Sequence, residues 1–357
     1  MGLPTGTFNV NYAKDAAIVR TRLQWGLLIL FLAVLFVIPF YGPLANDYWL
    51  GVLIYICITI IAVHGLNILT GYCGQISLGQ AAFMAVGAYT AAILSSRFGL
   101  PFLATLPLAG LGATLIGLIF ALPAVRVKGF YLAITTLAAQ FIIMYFIMSL
   151  PDITGGVNGL TIGSAQIGSI VFDSRQSFYL LAMVITVIMT FLAKNIARTR
   201  VGRAFIAIRD NDLAAEVMGV NPFAYKLIAF AICSFFAGIA GCLYVYYLEI
   251  AHPQHYELME SIWMLGMIIV GGMGSTTGPI FGSVFIRLID ELVGVHFSPF
   301  IGNLIPSLAG QMSAALGLLI FALVVGLFIV FEPRGLAHRW GIIKSSYRLW
   351  PFSYGFG

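Results

Sequence analysis

Charged residues are scarce in this chain of 357 residues: they make up 9% of it, against about 25% in an ordinary soluble domain. Hydrophobic residues make up 61%, where about 45–50% is usual, and the mean hydropathy is +1.00. This balance excludes a soluble globular enzyme. Since a spanning helix needs roughly 20 apolar residues, the content corresponds to about eight to ten spans. The composition predicts an all-α polytopic membrane protein.

Cysteine and histidine are also few, and their spacing matches no metal motif. The four cysteines form no CxxC pair and the five histidines form no HExxH, so neither a zinc site nor a redox pair is predicted. The phosphate-binding pattern GxxxxGK[ST] is absent as well. We therefore expect small, buried cysteines, no catalytic residues, and no metal or cofactor bound by this chain.

The positive charge lies at the ends of hydrophobic runs, so nucleic acid is not an expected partner. If the N-terminus is cytoplasmic and the runs alternate in direction, only Arg97 and Arg175 of the 18 Lys and Arg residues lie outside, and Arg287 lies within a run. The other fifteen lie inside, as the positive-inside rule requires. The hydrophobic runs fall near residues 23–41, 48–69, 81–97, 102–125, 129–150, 177–196, 227–249, 259–271, 279–293 and 309–331.

This orientation divides the chain into three parts. Residues 1–22 are predicted to be a cytoplasmic N-terminal segment, residues 23–331 a transmembrane domain, and residues 332–357 a cytoplasmic tail. Within the transmembrane domain, residues 197–226 form the longest cytoplasmic loop. Both termini are therefore predicted to lie in the cytoplasm.

Two uncharged, glycine-rich stretches interrupt the hydrophobic runs, at residues 70–80 and 271–279. They share the pattern Gly-x-x-Gly-x-x-Ser/Thr over residues 71–77 and 271–277. Paired interruptions of this kind indicate a transport site near the middle of the membrane, and close helix packing through small residues is the alternative. The run 259–271 is too short for a full crossing. It is either a re-entrant half-helix or part of a span, so the predicted number of spans varies by two.

The longest cytoplasmic loop carries the signals of a short helix. Asn211 is a favourable N-cap, Asp212 suits the positive helix N-terminus, Gly219 suits the position after the helix, and Pro222 stops any continuation. These residues predict a helix over residues 212–218. A helix this short is not stable alone, so its apolar stripe docks on a partner protein or packs back on this chain or the lipid surface. That stripe consists of Leu213, Ala214, Val217 and Met218.

The same loop also carries residues that could indicate metal-dependent chemistry. Asn211 and Asp212 followed by Glu216 weakly resemble the aspartate-rich magnesium sites of intramembrane prenyltransferases. Those sites need a second acidic cluster, whereas the other acidic residues are dispersed and Asp290 with Glu291 is their only adjacent pair. Intramembrane transferase chemistry is therefore the weakest hypothesis. The spacing also predicts that Arg287 pairs with one of these two carboxylates on a single helix face.

Several segments together resemble one family, the permease subunits of branched-chain amino-acid ABC importers, and in particular its LivM-like branch. The resemblance runs from about residue 48 to residue 340. Two of its segments, at residues 153–160 and 331–336, favour the M-type over the H-type subunit. The segments are LNILTGYCGQISLGQAAFMAVGAYTAA (66–92), GFYLAITTLAAQ (129–140), VGRAFIAIRDNDLAAEVMGVN (201–221), ITGGVNGL (153–160), MIIVGGMGSTTGPIFGSVF (267–285) and FEPRGL (331–336).

The resemblance implies a permease in the cytoplasmic (inner) membrane that works with a second, LivH-like permease, two cytoplasmic ATP-binding subunits and an extracytoplasmic substrate-binding protein. Mg-ATP then binds to the ATPase subunits. Such permeases carry the motif Glu-Ala-Ala-x-x-x-Gly, which docks into the ATPase. Here Leu213, Ala214, Ala215 and Gly219 match it, with leucine in place of glutamate. The implied ATPase-coupling residues are Arg209, Asp210, Asn211, Asp212, Leu213, Ala214, Ala215, Glu216 and Gly219.

Uncharged polar and small residues are the candidates for the substrate pathway, because interrupted helices supply free backbone groups inside a bundle. They are Gly71, Gly74, Gln75, Ser77, Gln80, Thr135, Thr136, Gly271, Gly274 and Thr277. Asp152, Asn158 and Asp173 in the external loop are candidates for contact with the binding protein. The resemblance implies leucine, isoleucine and valine as substrates, with urea, small amides and aromatic acids as alternatives. A secondary transporter or channel for a small polar solute is the other functional class, although no chain of acidic residues lies deep in the membrane to couple it to protons.

Overall fold

The computed structural model describes residues 22–40, 46–127, 129–168, 170–293 and 309–349. The predicted cytoplasmic N-terminal segment therefore lies outside the described residues apart from Arg22, and so does the end of the predicted tail, residues 350–357. Within the described ranges the chain is built almost entirely of helices. The predicted all-α architecture is confirmed.

The first half of the chain forms helices that run back and forth, followed by a short loop. The helices are α1 (Arg22–Val37), α2 (Asp47–Leu66), a π-helix that continues α2 (Asn67–Tyr72), α3 (Gln80–Phe98), α4 (Phe102–Ala124) and α5 (Phe130–Ser149). The loop contains α6 (Pro151–Thr154), a 3-10 turn (Gly156–Asn158), β1 (Leu160–Thr161), β2 (Gln166–Ile167) and β3 (Ile170–Val171). β2 and β3 pair antiparallel.

The second half returns through the bundle and places one further strand beside the loop. Its elements are α7 (Arg175–Arg198), α8 (Arg200–Asp210), α9 (Asp212–Val217), α10 (Pro222–Leu248), β4 (Ile250–Ala251), a 3-10 turn (Pro253–Tyr256), α11 (Leu258–Gly271), α12 (Gly278–Leu292), α13 (Ala309–Phe331) and α14 (Gly335–Leu349). β4 pairs antiparallel with β1, with Leu160 opposite Ala251.

Six helices in the described part of the chain are long and apolar enough to cross a membrane alone: α2 with its π-helical continuation, α3, α4, α5, α7 and α10. α13 and α14 provide a seventh candidate, bent by 49° at a short break. The three other predicted runs form shorter helices, α1, α11 and α12, of 16, 14 and 15 residues. The predicted eight to ten spans are reached only when these shorter helices are counted.

α2 and α10 lie at the centre of the bundle, and α10 packs along α2, α3 and α4. Close approach depends on glycine: a Cβ at Gly87 in α3 would collide with the backbone of Gly238 in α10, and one at Gly241 with the backbone of Met84. Small residues bring membrane helices together in this way. The outer faces of α4 and α5 leave large apolar side chains exposed, as lipid contact requires. All four cysteines are free and buried, as predicted.

Candidate functional site

α9 is a capped helix of six residues between α8 and α10. The Asn211 side chain accepts a hydrogen bond from the Ala214 N–H at 3.0 Å, which satisfies one free donor of the first turn. After the helix, Gly219 adopts the left-handed region at φ 87°, and the next N–H, of Val220, donates to the Ala215 carbonyl at 3.0 Å. The helix predicted over residues 212–218 is confirmed, one residue shorter.

The apolar stripe of α9 is not covered by the described part of the chain. Leu213 is 67% exposed, Val217 87% and Met218 82%, and Ala214 is exposed beside them. Ala215 alone on this helix is buried. Packing of the stripe back onto the described part of the chain, one of the predicted alternatives to docking on a partner, is therefore not seen. We call these four exposed residues the α9 surface.

Arg209, in the last turn of α8, connects α9 to both glycine-rich stretches. Its Nη1 donates a hydrogen bond to the Gly71 carbonyl at 3.0 Å, and its Nε donates to Asp210 at 2.9 Å. Its aliphatic stem lies over Gly74, where an added Cβ would come within 2.8 Å of Arg209 Cγ. A Cβ on Gly274 would lie 3.0 Å from Arg209 Nη1. The end of α8 thus touches the point where the two stretches meet.

The two glycine-rich stretches, similar in sequence, are in direct contact. A Cβ at Gly71 would collide with the backbone of Gly274, so only glycine permits this approach. Asn67, a buried amide in the π-helix, joins the stretches: its Nδ2 donates to the Ser275 carbonyl at 2.8 Å and its Oδ1 accepts from the Gly274 N–H at 2.9 Å. Gly271 packs on the backbone at the start of α12. Asn67 was not among the predicted site residues, although an amide in an apolar run was the available signal.

The start of α3 lies inside the bundle, and side chains from other helices bond its free N–H groups. Thr136 and Gln140 in α5 accept from the backbone N–H groups of residues 78 and 82 at 3.0 and 2.8 Å. Ser261 in α11 accepts from the N–H of residue 81 at 2.9 Å. Gln140 also donates to the Tyr256 carbonyl at 2.7 Å. Irregular backbone is tolerated inside a membrane only where its N–H and C=O groups find hydrogen-bond partners of this kind.

The remaining polar candidates of the predicted pathway fall into two groups. Gln80 is fully buried and links two central helices: its Nε2 donates to the Ala62 carbonyl at 2.8 Å, and Cys233 Sγ donates to its Oε1 at 3.0 Å. Gln75 and Ser77 form hydrogen bonds within their own stretch. All three side chains therefore have partners in this conformation.

Two predicted pathway residues lie apart from the others. The Thr135 hydroxyl donates to the Tyr131 carbonyl of its own helix at 2.8 Å, and Thr135 is half-buried whereas Thr136 is buried. Thr277 is exposed at the start of α12. There Ser275 performs the capping: its Oγ accepts from the Gly278 N–H at 2.9 Å. The structure thus does not bring Thr135 and Thr277 to the junction of the two glycine-rich stretches.

A polar cavity of about 340 Å³ opens beside α9. Lys226, in the first turns of α10, is only 4% exposed although it carries a charge, and it lies close enough to the Cys73 thiol to interact with it electrostatically. Five of the predicted ATPase-coupling and pathway residues share this cavity with Lys226. The lining residues are Gln75, Gly129, Ile208, Arg209, Asp210, Asn211, Asp212 and Lys226.

A second polar cavity, of about 290 Å³, lies at the opposite end of α2 and α10 from α9. Arg287 in α12 lies beside it: Nη2 donates to the Tyr55 hydroxyl oxygen at 2.5 Å and to Glu260 at 3.3 Å, and Nη1 donates to Asp290 at 3.5 Å. The predicted Arg287–Asp290 pair is confirmed. The lining residues are Gly51, Val52, Tyr55, Tyr244, Tyr247, Leu248, Arg287, Asp290 and Glu291.

The loop residues at this end are held by local contacts. Arg97 donates to the backbone carbonyl of Asp152, and the Ser164 hydroxyl donates to Asp173 at 3.1 Å. Asn158 is exposed in the 3-10 turn. Burial lowers the pKa of His255, in the turn before α11; a second histidine lowers it further and a nearby glutamate opposes the shift. Among the described residues no group of three or more His, Cys, Asp or Glu side chains is arranged to hold a metal ion.

The family model described as branched-chain amino acid transport system / permease component matches residues 48–325. The chain belongs to this permease family. It is a multi-pass protein of the inner membrane, and its family consists of transporters. The match begins at α2 and ends within α13, so it includes both glycine-rich stretches and α9. No solved structure matches the permease.

Curated relatives agree with the family. The high-affinity branched-chain amino acid transport system permease proteins LivM of Salmonella typhimurium and Escherichia coli are each 33% identical to the permease over 260 residues, 66% of this chain and 61% of the relative. A probable branched-chain amino acid transport permease protein LivH of Methanocaldococcus jannaschii is 23% identical over 296 residues, 80% of this chain and 89% of the relative. The chain spans about three fifths of the length of the LivM relatives.

Proposed function

We propose that this permease is the translocation subunit of an ATP-driven importer for branched-chain amino acids, with leucine, isoleucine and valine as substrates. Its partners are a second, LivH-like permease, two cytoplasmic ATP-binding subunits and an extracytoplasmic substrate-binding protein. The permease binds no ATP itself. The names of the LivM and LivH relatives support the substrate class. α9 and both termini lie in the cytoplasm in this proposal, and the distribution of Lys and Arg supports this orientation.

The exposed α9 surface is the observation that supports ATP-driven transport. Its three large apolar side chains are between 67% and 87% exposed, on a helix too short to be stable without contacts. The surface occupies the position of the Glu-Ala-Ala-x-x-x-Gly motif of importer permeases. We assign it, together with Asp210, Asn211, Asp212, Ala215, Glu216 and Gly219, to docking on an ATP-binding subunit. Arg209 is assigned to coupling rather than to docking, because it joins this segment to the glycine-rich stretches.

The proposed mechanism is alternating access. Closure of two ATP-binding subunits moves α9, and Arg209 transmits the movement to the junction of the two glycine-rich stretches. Because Gly71 and Gly274 touch without side chains between them, the helices on either side can change their relative tilt as rigid bodies, the kind of motion that switches transporters between two states. The pathway then opens beside Gln80 and Thr136, which lie at the interrupted start of α3.

The test is co-purification of the complex from membranes in mild detergent, comparing wild type with Val217→Asp. The substitution places a charge in the centre of the α9 surface, where no described neighbour is disturbed. We expect the wild type to carry an ATP-hydrolysing subunit and Val217→Asp to lose it. Ile343→Asp is the matched control, because Ile343 is an exposed apolar residue of α14 outside the α9 surface; it should retain the subunit.

Two results would contradict the docking assignment. One is that Val217→Asp retains the ATP-hydrolysing subunit at the wild-type ratio. The other is that the folded wild type carries no ATP-hydrolysing subunit under conditions that retain the second permease. Either result would mean that the ATP-binding subunits do not dock on α9.

A further inference from the structure

Arg287 and its surroundings form a charged chamber that the coupling mechanism does not use. We define the Arg287 chamber as the cavity of about 290 Å³ together with Glu260 behind it. Arg287 is 11% exposed, and its guanidinium carbon lies 3.9 Å from the centre of the Tyr55 ring. Charges inside a membrane domain are costly, which makes them functional candidates by default.

The charges of the chamber do not balance. Two guanidiniums, Arg287 and Arg175 (whose Nη1 would lie 3.2 Å from a Cβ on the lining residue Gly51), face three carboxylates, those of Glu260, Asp290 and Glu291. Glu260 and Asp290 contact the guanidinium of Arg287 at 3.3 and 3.5 Å, whereas Glu291 has no ion pair within the described part of the chain. Structural ion pairs in low dielectric are matched because an unpaired charge is penalised. The excess of negative charge suits a ligand that carries an ammonium group.

Polar groups without partners point to the other end of such a ligand. Among the described residues, the buried Nε of Arg287 and the hydroxyl of Tyr256 have no hydrogen-bond partner. Tyr256 is 1% exposed and lines a smaller cavity that shares Tyr55 and Tyr244 with the Arg287 chamber. Buried donors are rarely left unpaired without a reason. The Nε of Arg287 can only donate, and a carboxylate is the ligand group that accepts from such a donor. The Tyr256 hydroxyl can donate or accept.

We propose that the Arg287 chamber binds the zwitterionic head group of a small α-amino acid within this chain. The guanidinium of Arg287 holds the carboxylate, and Asp290 and Glu291 hold the ammonium. The lining tyrosines and Val52 contact the aliphatic side chain of the bound amino acid. The volume of about 290 Å³ lies just below the usual range of about 300–1,000 Å³ for ligand pockets. Tyr256 is the next donor inward, behind the Tyr55–Tyr244 pair, whose ring centres are 5.5 Å apart.

This proposal rests on the proposed function for its substrate class and deepens it by locating a recognition site outside the substrate-binding protein. The test uses the complex of both permeases and the ATP-binding subunits in nanodiscs, free of binding protein. Equilibrium binding of radiolabelled L-leucine is measured in competition with 3-methylbutylamine, which lacks the carboxylate, and 4-methylpentanoate, which lacks the ammonium. We expect saturable leucine binding that neither analogue displaces at a tenfold excess.

Glu291→Gln is the decisive variant, because it removes a charge that has no ion-pair partner in the described chain and should leave the fold intact. We expect it to weaken leucine binding about tenfold or more. Arg287→Lys keeps the charge and loses the Nε donor, and it should weaken binding similarly. Glu257→Gln is the matched control: this exposed carboxylate lies at the same end of the domain and lines neither cavity, and its removal should not change binding.

ATP-driven leucine uptake with added binding protein separates this proposal from the proposed function. If the wild type shows uptake, and Glu291→Gln and Arg287→Lys bind and transport leucine as the wild type does, the chamber proposal is wrong and the importer function stands. Uptake by the wild type without saturable leucine binding, or displacement of leucine by 3-methylbutylamine at equal concentration, also overturns it. If the wild type takes up no branched-chain amino acid, both proposals fall.

Discussion

Arg209 donates a hydrogen bond from its guanidinium to the carbonyl of Gly71 over 3.0 Å. The two residues are 138 positions apart, and the contact fastens the α8–α9 segment to the π-helical end of α2. Because Gly71 touches Gly274 from the other half of the chain, one arginine reaches both interruptions of the bundle. α9 is therefore mechanically connected to the region where the helices meet without side chains between them.

Replacement of Arg209 by alanine tests this connection. The variant loses the hydrogen bond to Gly71 and the stem over Gly74, while the α9 surface is unchanged. We expect the ATP-binding subunits to remain bound and to hydrolyse ATP at close to the wild-type rate, and leucine uptake per ATP hydrolysed to fall at least fivefold. Uptake and hydrolysis are measured on the same proteoliposomes. The control Arg200→Ala removes an exposed arginine from the first turn of the same helix and should keep the wild-type ratio.

The contact between Gly71 and Gly274 predicts a steric effect. Alanine at position 71 would place a Cβ against the Gly274 backbone, and overpacking of this kind typically costs about 1–3 kcal/mol. Gly326→Ala is the matched control, because Gly326 lies inside α13 and an added Cβ meets nothing within 4 Å; it should be neutral or stabilising by up to about 1 kcal/mol. The melting temperature of the purified protein in detergent reports both. Equal melting temperatures for the two variants would refute the close contact.

The interrupted start of α3 gives a third prediction. Gln140→Leu has a similar shape but leaves the N–H of residue 82 and the carbonyl of Tyr256 without partners, at a cost of about 1–3 kcal/mol for each buried group. We expect a clear fall in melting temperature. Thr135→Ala, on the same helix, removes a hydroxyl that bonds only within its own turn, and it should change the melting temperature little. A larger effect of Thr135→Ala than of Gln140→Leu would contradict the assigned roles.

The local features of this permease could be read from its sequence because neighbouring residues determine them. Asn211 marks the start of α9 by capping it, and Gly219 marks its end by adopting a positive φ. Both residues act within a few positions of the helix. The two glycine-rich stretches were recognisable as a pair because they repeat one spacing. The spacing left open whether the stretches touch, since transport sites and helix packing use the same small residues.

Features that depend on distant contacts were not predictable from one sequence. Arg287 was expected to pair on its own helix, and it does pair with Asp290, but it also contacts Glu260, 27 positions away, and Tyr55, 232 positions away. Ser261 lies in an apolar run 180 positions from Ala81, and its hydrogen bond to the start of α3 depends on the fold. The number of spans was also uncertain, because α11 and α12 are too short for hydropathy alone to decide whether they cross.

The most direct test of the central claim is leucine uptake by the reconstituted complex of this permease, its second permease and its ATP-binding subunits, with the binding protein outside. The account predicts uptake that requires ATP and is abolished by Val217→Asp in this chain, while Ile343→Asp transports normally. Proton and sodium gradients without ATP should drive no uptake. Leucine uptake driven by an ion gradient in the absence of ATP, undiminished by Val217→Asp, would contradict the account and identify a secondary transporter instead.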